Sequence, residues 1–82
     1  MAKVVLQQGL ADSFTDGETH WEIDAKDVRA LIRELDAKFP GIGEQLNSRT
    51  AVAIDGEIFQ DPLLQATPSE SEVYFLPMIE GG

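Results

Sequence analysis

The sequence of 82 residues carries 15 acidic against 6 basic side chains, and its net charge of −9 disfavours nucleic acid and anionic membrane because phosphates are repelled. Its length holds one domain with a small core and no room for a second, catalytic one, while an apolar fraction of 43% beside 26% charged residues argues against disorder. The absence of cysteine excludes disulfides, thiolate metal sites and a cysteine nucleophile, and the natural counterpart of so acidic a chain is a basic protein surface.

Lys3 to Gln8 reads as a first strand, because Val4, Val5 and Leu6 favour extended backbone and Gly9 ends the run. That run is too brief for a signal peptide or a membrane span, so a cytoplasmic protein is expected. Leu10 to Gly17 holds Asp12, Ser13, Thr15, Asp16 and Gly17, a composition of turn formers, and is expected to be a loop between strands. From Glu18 the pattern alternates: Thr19, Trp21 and Ile23 share one face, and Glu18, His20 and Glu22 share the other. Trp21 is then a core or core-rim residue, and His20 a solvated one.

Asp24 is the expected N-cap of the one clear helix, with Asp27 three residues on in a variant of the capping box and Ile23 placed to staple against Val28. Val28, Leu31, Ile32, Leu35 and Phe39 recur at helical spacing and form an apolar stripe suited to covering a sheet. Glu34 and Lys38 are spaced for an i,i+4 pair, and Phe39-Pro40-Gly41 supplies the stop. Gly41 to Arg49 reads as a connector; no Lys follows its glycines at the phosphate-loop spacing. Thr50 to Ile54 and Glu57 to Phe59 are strands joined by the two-residue turn Asp55-Gly56, which makes the pair antiparallel. Gln60 to Ser71, with Pro62 and Pro68, is a loop anchored at Leu63 and Leu64.

The last strand is expected over Glu72 to Leu76, with the compact run Val73 to Leu76 buried. Pro77 removes a backbone donor, so the residues after it should leave the fold. One helix on one face of a mixed sheet is an α+β architecture.

No set of side chains in the sequence supports catalysis on its own. The single His20 has no nucleophile elbow to serve, and Asp24 with Asp27 fit helix capping better than metal binding. Gly81 and Gly82 are different in kind. Without Cβ atoms they can thread a narrow cleft and present an unhindered carboxylate.

The ending Phe75-Leu76-Pro77-Met78-Ile79-Glu80-Gly81-Gly82 resembles the tail of the ubiquitin-like sulfur carriers, notably the small subunit of molybdopterin synthase and the ThiS carriers. The order of elements and the Asp55-Gly56 turn match the same family. Met78 stands where a second proline is common, and Glu80 where a small residue is usual, departures that bear on which partner is served.

The resemblance implies a β-grasp domain over residues 1–77 and a flexible tail over 78–82. It also implies that the chain is not itself an enzyme and binds no cofactor. An E1-like partner would use ATP to adenylate Gly82, and a sulfur donor would displace AMP to leave a thiocarboxylate. That group would pass sulfur to a biosynthetic acceptor, molybdopterin synthesis being one such pathway, with a large synthase subunit as a further partner. Gly82 then carries the sulfur, Gly81 permits the approach, Pro77 fixes the direction of departure, and Met78, Ile79 and Glu80 contact the partner. Two alternatives stand beside this reading: a protein modifier joined through Gly82 to target lysines, and a β-grasp interaction module whose tail transfers nothing.

Overall fold

The computed structural model describes residues 1–48, 50–59 and 63–77. Its elements in chain order are β1 (Ala2–Val5), α1 (Gln8–Phe14), β2 (His20–Ile23), α2 (Val28–Lys38), α3 (Ile42–Ser48), β3 (Thr50–Ile54), β4 (Glu57–Phe59) and β5 (Glu72–Pro77). The strands form one sheet in the order β2-β1-β5-β3-β4. Only β1 and β5 run parallel among these neighbours, so the sheet is mixed, as the order of elements predicts.

The helical stripe covers one sheet face. Val28, Leu31, Ile32 and Leu35 of α2 are buried in one cluster with Val4, Ile23, Val52, Ile54, Val73 and Phe75. Phe39 lies just past the helix as its C-cap and meets the Trp21 ring edge-on, with centroids 5.1 Å apart. Trp21 also donates its indole N–H to the Glu18 carbonyl at 2.9 Å, which satisfies the polar end of a half-buried aromatic. The Asp55-Gly56 turn has φ of 49° and 89°, the double left-handed geometry of a type I′ hairpin. Asp55 Oδ1 accepts the Glu72 amide at 2.9 Å and so fastens this turn to the start of β5.

Three expectations are corrected. The helix starts three residues later than Asp24 suggests: Asp27 is the N-cap, accepting the Ala30 amide on Oδ1 at 2.8 Å. The cause is a distant segment. Thr67 donates its hydroxyl to the Ala25 carbonyl at 2.7 Å and its amide to the Lys26 carbonyl at 3.0 Å, which holds this entry extended. The same segment supplies the carbonyls of Gln65 and Leu63 to the Val28 and Arg29 amides, each at 3.0 Å, so the orphan donors of the first turn are met by backbone.

The second correction is that the expected loop at Leu10–Gly17 begins inside α1, where Ala11 is fully buried and Leu10 and Phe14 pack against the core. β1 accordingly stops at Val5, although Leu6 stays buried. The third is that the expected connector contains α3, whose Ile42 and Leu46 are one helical turn apart and both buried. α2 remains the main helix, and these two short ones fill in beside it.

Candidate functional site

β5 lies in the middle of the sheet, parallel to β1 on one side and antiparallel to β3 on the other. Val73 and Phe75 point into the core and are 0% and 1% exposed, whereas Tyr74 is 40% exposed on the opposite face. The run Val73 to Leu76 is therefore half-buried, not wholly buried as its apolar composition suggests. An interior strand with one wet face alternates as an edge strand does. Leu63 likewise packs on the core while Leu64 is 82% exposed, so only one of the two expected anchors is one.

Pro77 is the last residue of β5 and stands opposite Thr50, the first residue of β3. It belongs to the strand instead of following it, and a proline at a ladder's final position forfeits no later hydrogen bond. The remaining expected site residues, Met78, Ile79, Glu80, Gly81 and Gly82, lie outside the described residues.

What the described residues add is the surface from which that tail departs. The alternation of the strands places Val5, Ala51, Ala53, Ile58, Tyr74 and Leu76 on the sheet face turned away from α2. They are neighbours across the ladders: Tyr74 lies between Val5 and Ala53, Leu76 opposite Ala51, and Ile58, 63% exposed, opposite Ala53. Charged residues gather toward the β5 start, where Glu72 pairs in register with Lys3 and Lys3 with Glu22. The apolar half of the face is thus the half next to Pro77. Ala51 and Ala53 keep the middle of it low, since a larger β3 side chain there would fill the space beside Tyr74 and Leu76. Sequence reasoning missed this face; the alternation in β5 and the exposed Ile58 after a type I′ turn are the signals that reveal it once the register is known.

His20 is exposed and shares a 2.8 Å hydrogen bond between its Nδ1 and Thr19 Oγ1, and among the described residues no three His, Asp or Glu side chains gather as metal ligands would. What the described residues offer here is an uncharged apolar patch beside the last residue of β5. Among the described residues no helix is long and apolar enough to cross a membrane.

The model of the ThiS family matches residues 9–82 of the sequence. The chain belongs to the ThiS family. This bears out the resemblance of the tail to the ubiquitin-like sulfur carriers. No curated protein matched the sequence. Among solved structures, CysO of Amycolatopsis orientalis in its BexX/CysO complex superposes with a TM-score of 0.84 at 21% identity, covering 100% of both chains. Mycobacterium tuberculosis CysO, described as an antigen, gives 0.83 at 21% identity, over 96% of this chain and 100% of its own. SAMP1 of Haloferax volcanii gives 0.70 at 19% identity, over 99% and 98%. At such identities these likenesses establish the fold, the β-grasp expected from the order of elements, in this member of the ThiS family.

Proposed function

We propose that this ThiS-family chain is a sulfur carrier whose Gly82 carboxylate is adenylated by an E1-like enzyme and converted to a thiocarboxylate. The observation that carries the reading is the placement of β5: the strand is fixed on both sides in the sheet, and from its last residue, Pro77, only five residues run to a terminal Gly-Gly. The body holds one end of a short, slim peptide, and a partner takes the other.

A carboxylate is a poor acyl donor because oxide or hydroxide is a poor leaving group. ATP in the partner supplies a better one by forming the acyl adenylate with release of pyrophosphate. Hydrosulfide then attacks the Gly82 carbonyl carbon, the bond to AMP breaks and AMP leaves, and loss of the sulfur-bound proton gives the thiocarboxylate with no change of oxidation state. This chain contributes position. Anchoring the tail in a rigid sheet makes delivery of Gly82 effectively intramolecular once the body has docked. The apolar half of the outer face, with Ile58, Tyr74 and Leu76, is the grip, because it adjoins the exit of the tail and buries area without charge. That a CysO of this fold is seen in complex with another protein, BexX, supports a partner-binding role. The acceptor is a biosynthetic synthase, for which molybdopterin formation is one pathway.

The test is mass spectrometry of the intact chain after incubation with its cognate E1-like enzyme, ATP and a sulfide donor. Replacement of one oxygen by sulfur at Gly82 is expected, and a chain lacking Gly82 should fold normally yet gain nothing. An isopeptide between Gly82 and a lysine in place of the thiocarboxylate would identify a protein modifier and overturn the reading.

A further inference from the structure

β2 is an edge of the sheet, with β1 as its one neighbour. The ladder decides which of its backbone groups are used. Leu6 donates its amide to the Thr19 carbonyl at 2.8 Å, and this pair lies in register with Val4↔Trp21 and Ala2↔Ile23, so Trp21 and Ile23 exchange hydrogen bonds with β1. His20 and Glu22 alternate with them and turn their amides and carbonyls away from the sheet. Among the described residues nothing pairs with these four groups. The opposite edge offers less: the type I′ turn makes Ile54↔Glu57 and Val52↔Phe59 the bonded pairs, which leaves Ile58 alone in β4 to face outward.

The surroundings of β2 select what can pair there. An open edge invites a second copy of the same chain. Here Asp16, Glu18, Glu22, Asp24 and Asp27 stand within residues 16–27, with Lys26 the one lysine or arginine among them, so two such edges repel each other. Lys3 faces Glu22 in the register, yet its ion pair is with Glu70, at 3.6 Å, on the β5 side; among the described residues the Glu22 carboxylate has no partner. On α2, Lys38 beside Phe39 has Glu34 one turn before it. The core side of the strand is different, for there Trp21 stands edge-on to Phe39 and both are half-buried. A strand laid along β2 puts alternate side chains into these two environments, those beside Glu22 meeting a carboxylate and those beside Trp21 meeting an aromatic.

We propose that the free edge of β2 pairs with an extended segment of a partner protein in which basic residues alternate with apolar ones. His20 and Glu22 supply the backbone hydrogen bonds, Glu22 favours the basic residues, and Trp21 favours the apolar ones. The acidic surroundings that welcome such a segment reject a copy of this chain, whose net charge is −9. β1 lies between this edge and β5, so a partner held here leaves Pro77 uncovered.

The experiment is a nuclear magnetic resonance titration of the intact chain at low salt with a short capped peptide of alternating lysine and valine. The His20 and Glu22 amide signals should shift and their hydrogen exchange should slow, while the Trp21 and Ile23 amides, already bonded to β1, keep their exchange rates. Glu22→Lys should weaken the binding about tenfold, since a cross-strand attraction becomes a repulsion. Raising salt to about 0.5 M, where the screening length is ~4 Å, should weaken it as well. The same peptide N-methylated throughout cannot pair with an edge, and a glutamate-valine peptide carries the wrong charge; neither should bind. Equal binding by the N-methylated peptide, or an affinity unaltered by Glu22→Lys, overturns the proposal. So do shifts spread over acidic residues outside β2, or confined to Tyr74 and Ile58 on the outer face. All of these measurements are made without ATP or an activating enzyme, so their outcome is separate from the chemistry of Gly82.

Discussion

At the scale of single residues, one carboxylate ties α2 to the start of α3 by hydrogen bonds, beside the core packing that the two helices share. Asp36 Oδ1 accepts the Gly41 amide at 3.1 Å and the Gly43 amide at 3.0 Å, so a side chain in the last turns of one helix satisfies the start of the next. Gly41, at φ 101°, turns the chain between them in a conformation that other residues rarely adopt. A Cβ on Gly43 would sit 2.9 Å from that Oδ1 and 3.1 Å from the Asp36 Cβ, so Gly43→Ala must displace the carboxylate. Losing its amide bonds should cost about 1–3 kcal/mol, more than the roughly 0.5–1 kcal/mol that alanine returns in a helix. Urea denaturation checks this, and a Gly43→Ala protein more stable than the parent would refute the clasp. In Asp36→Ala the same bonds are already gone, so the two changes together should cost less than their sum. Sequence alone presents Gly41-Ile42-Gly43 as a connector because glycine opposes helix; only the partner seven residues upstream makes Gly43 acceptable inside one. The Asp24 error has the same form, since Asp24 and Asp27 are both capable caps and the choice was made by Thr67, forty residues away. Asp55-Gly56, whose geometry is set locally, was legible without the structure.

At the scale of elements, the sheet separates two kinds of apolar residue that look alike in sequence. Leu31 of α2 is 0% exposed and Ile58 of β4 is 63% exposed, although each sits in a patterned run. Leu31→Ala removes a buried side chain from a core that cannot fully collapse around the cavity, and should cost ~2–5 kcal/mol, a large share of what a domain this small possesses. Ile58→Ala should change stability by less than about 0.5 kcal/mol, as for most surface positions. Its expected effect is on the partner: slower turnover by the E1-like enzyme at low carrier concentration, with little change at saturation. Parallel melting curves and activation assays on the two variants test both halves, and an Ile58→Ala protein with unaltered activation at every concentration would remove the outer face from the docking surface. Long periodic elements were legible because many residues agree on one period, as in the stripe from Val28 to Leu35. The short helices α1 and α3 were not, because two or three apolar residues in seven cannot distinguish a helical turn from a loop until the core shows them buried. The outer face was hidden for a third reason. Val5, Ala53, Ile58 and Tyr74 come from four strands, and only the register makes them neighbours.

At the scale of the whole molecule, charge follows architecture. All six Lys and Arg residues fall between Lys3 and Arg49, and residues 50–82 hold Asp55, Glu57, Asp61, Glu70, Glu72 and Glu80 without one basic side chain. In the fold, Arg29, Arg33 and Lys38 stand on α2 with Glu34 and Asp36 among them, whereas Glu57 and Glu72 stand on strands of the C-terminal half that carry no basic residue. The Lys3–Glu70 pair, at 3.6 Å between exposed groups, neutralises little of that field. The resemblance that rests on the Phe75–Gly82 ending was legible in the sequence, and the family match covers that ending, whereas the outer face and the distribution of charge over the fold needed the strand register. A basic surface on the activating enzyme should therefore meet the acidic half of the carrier, and complementary potentials of this kind act mainly on encounter. Raising ionic strength from about 0.01 M to about 0.15 M shortens the screening length from ~30 Å to ~8 Å, so the association rate should fall steeply while dissociation, set by apolar contacts, changes less. Glu72→Gln with Glu80→Gln should reproduce part of the fall at low salt and flatten the remaining salt dependence. Glu80, where the resembling family carries a small residue, should account for more of the effect with the cognate enzyme than with an activating enzyme from another ThiS-family pathway. Stopped-flow association across ionic strength measures each of these quantities. A rate that stays flat with salt would assign the acidic half to solubility, and would leave Ile58, Tyr74 and Leu76 to account for recognition without electrostatic steering.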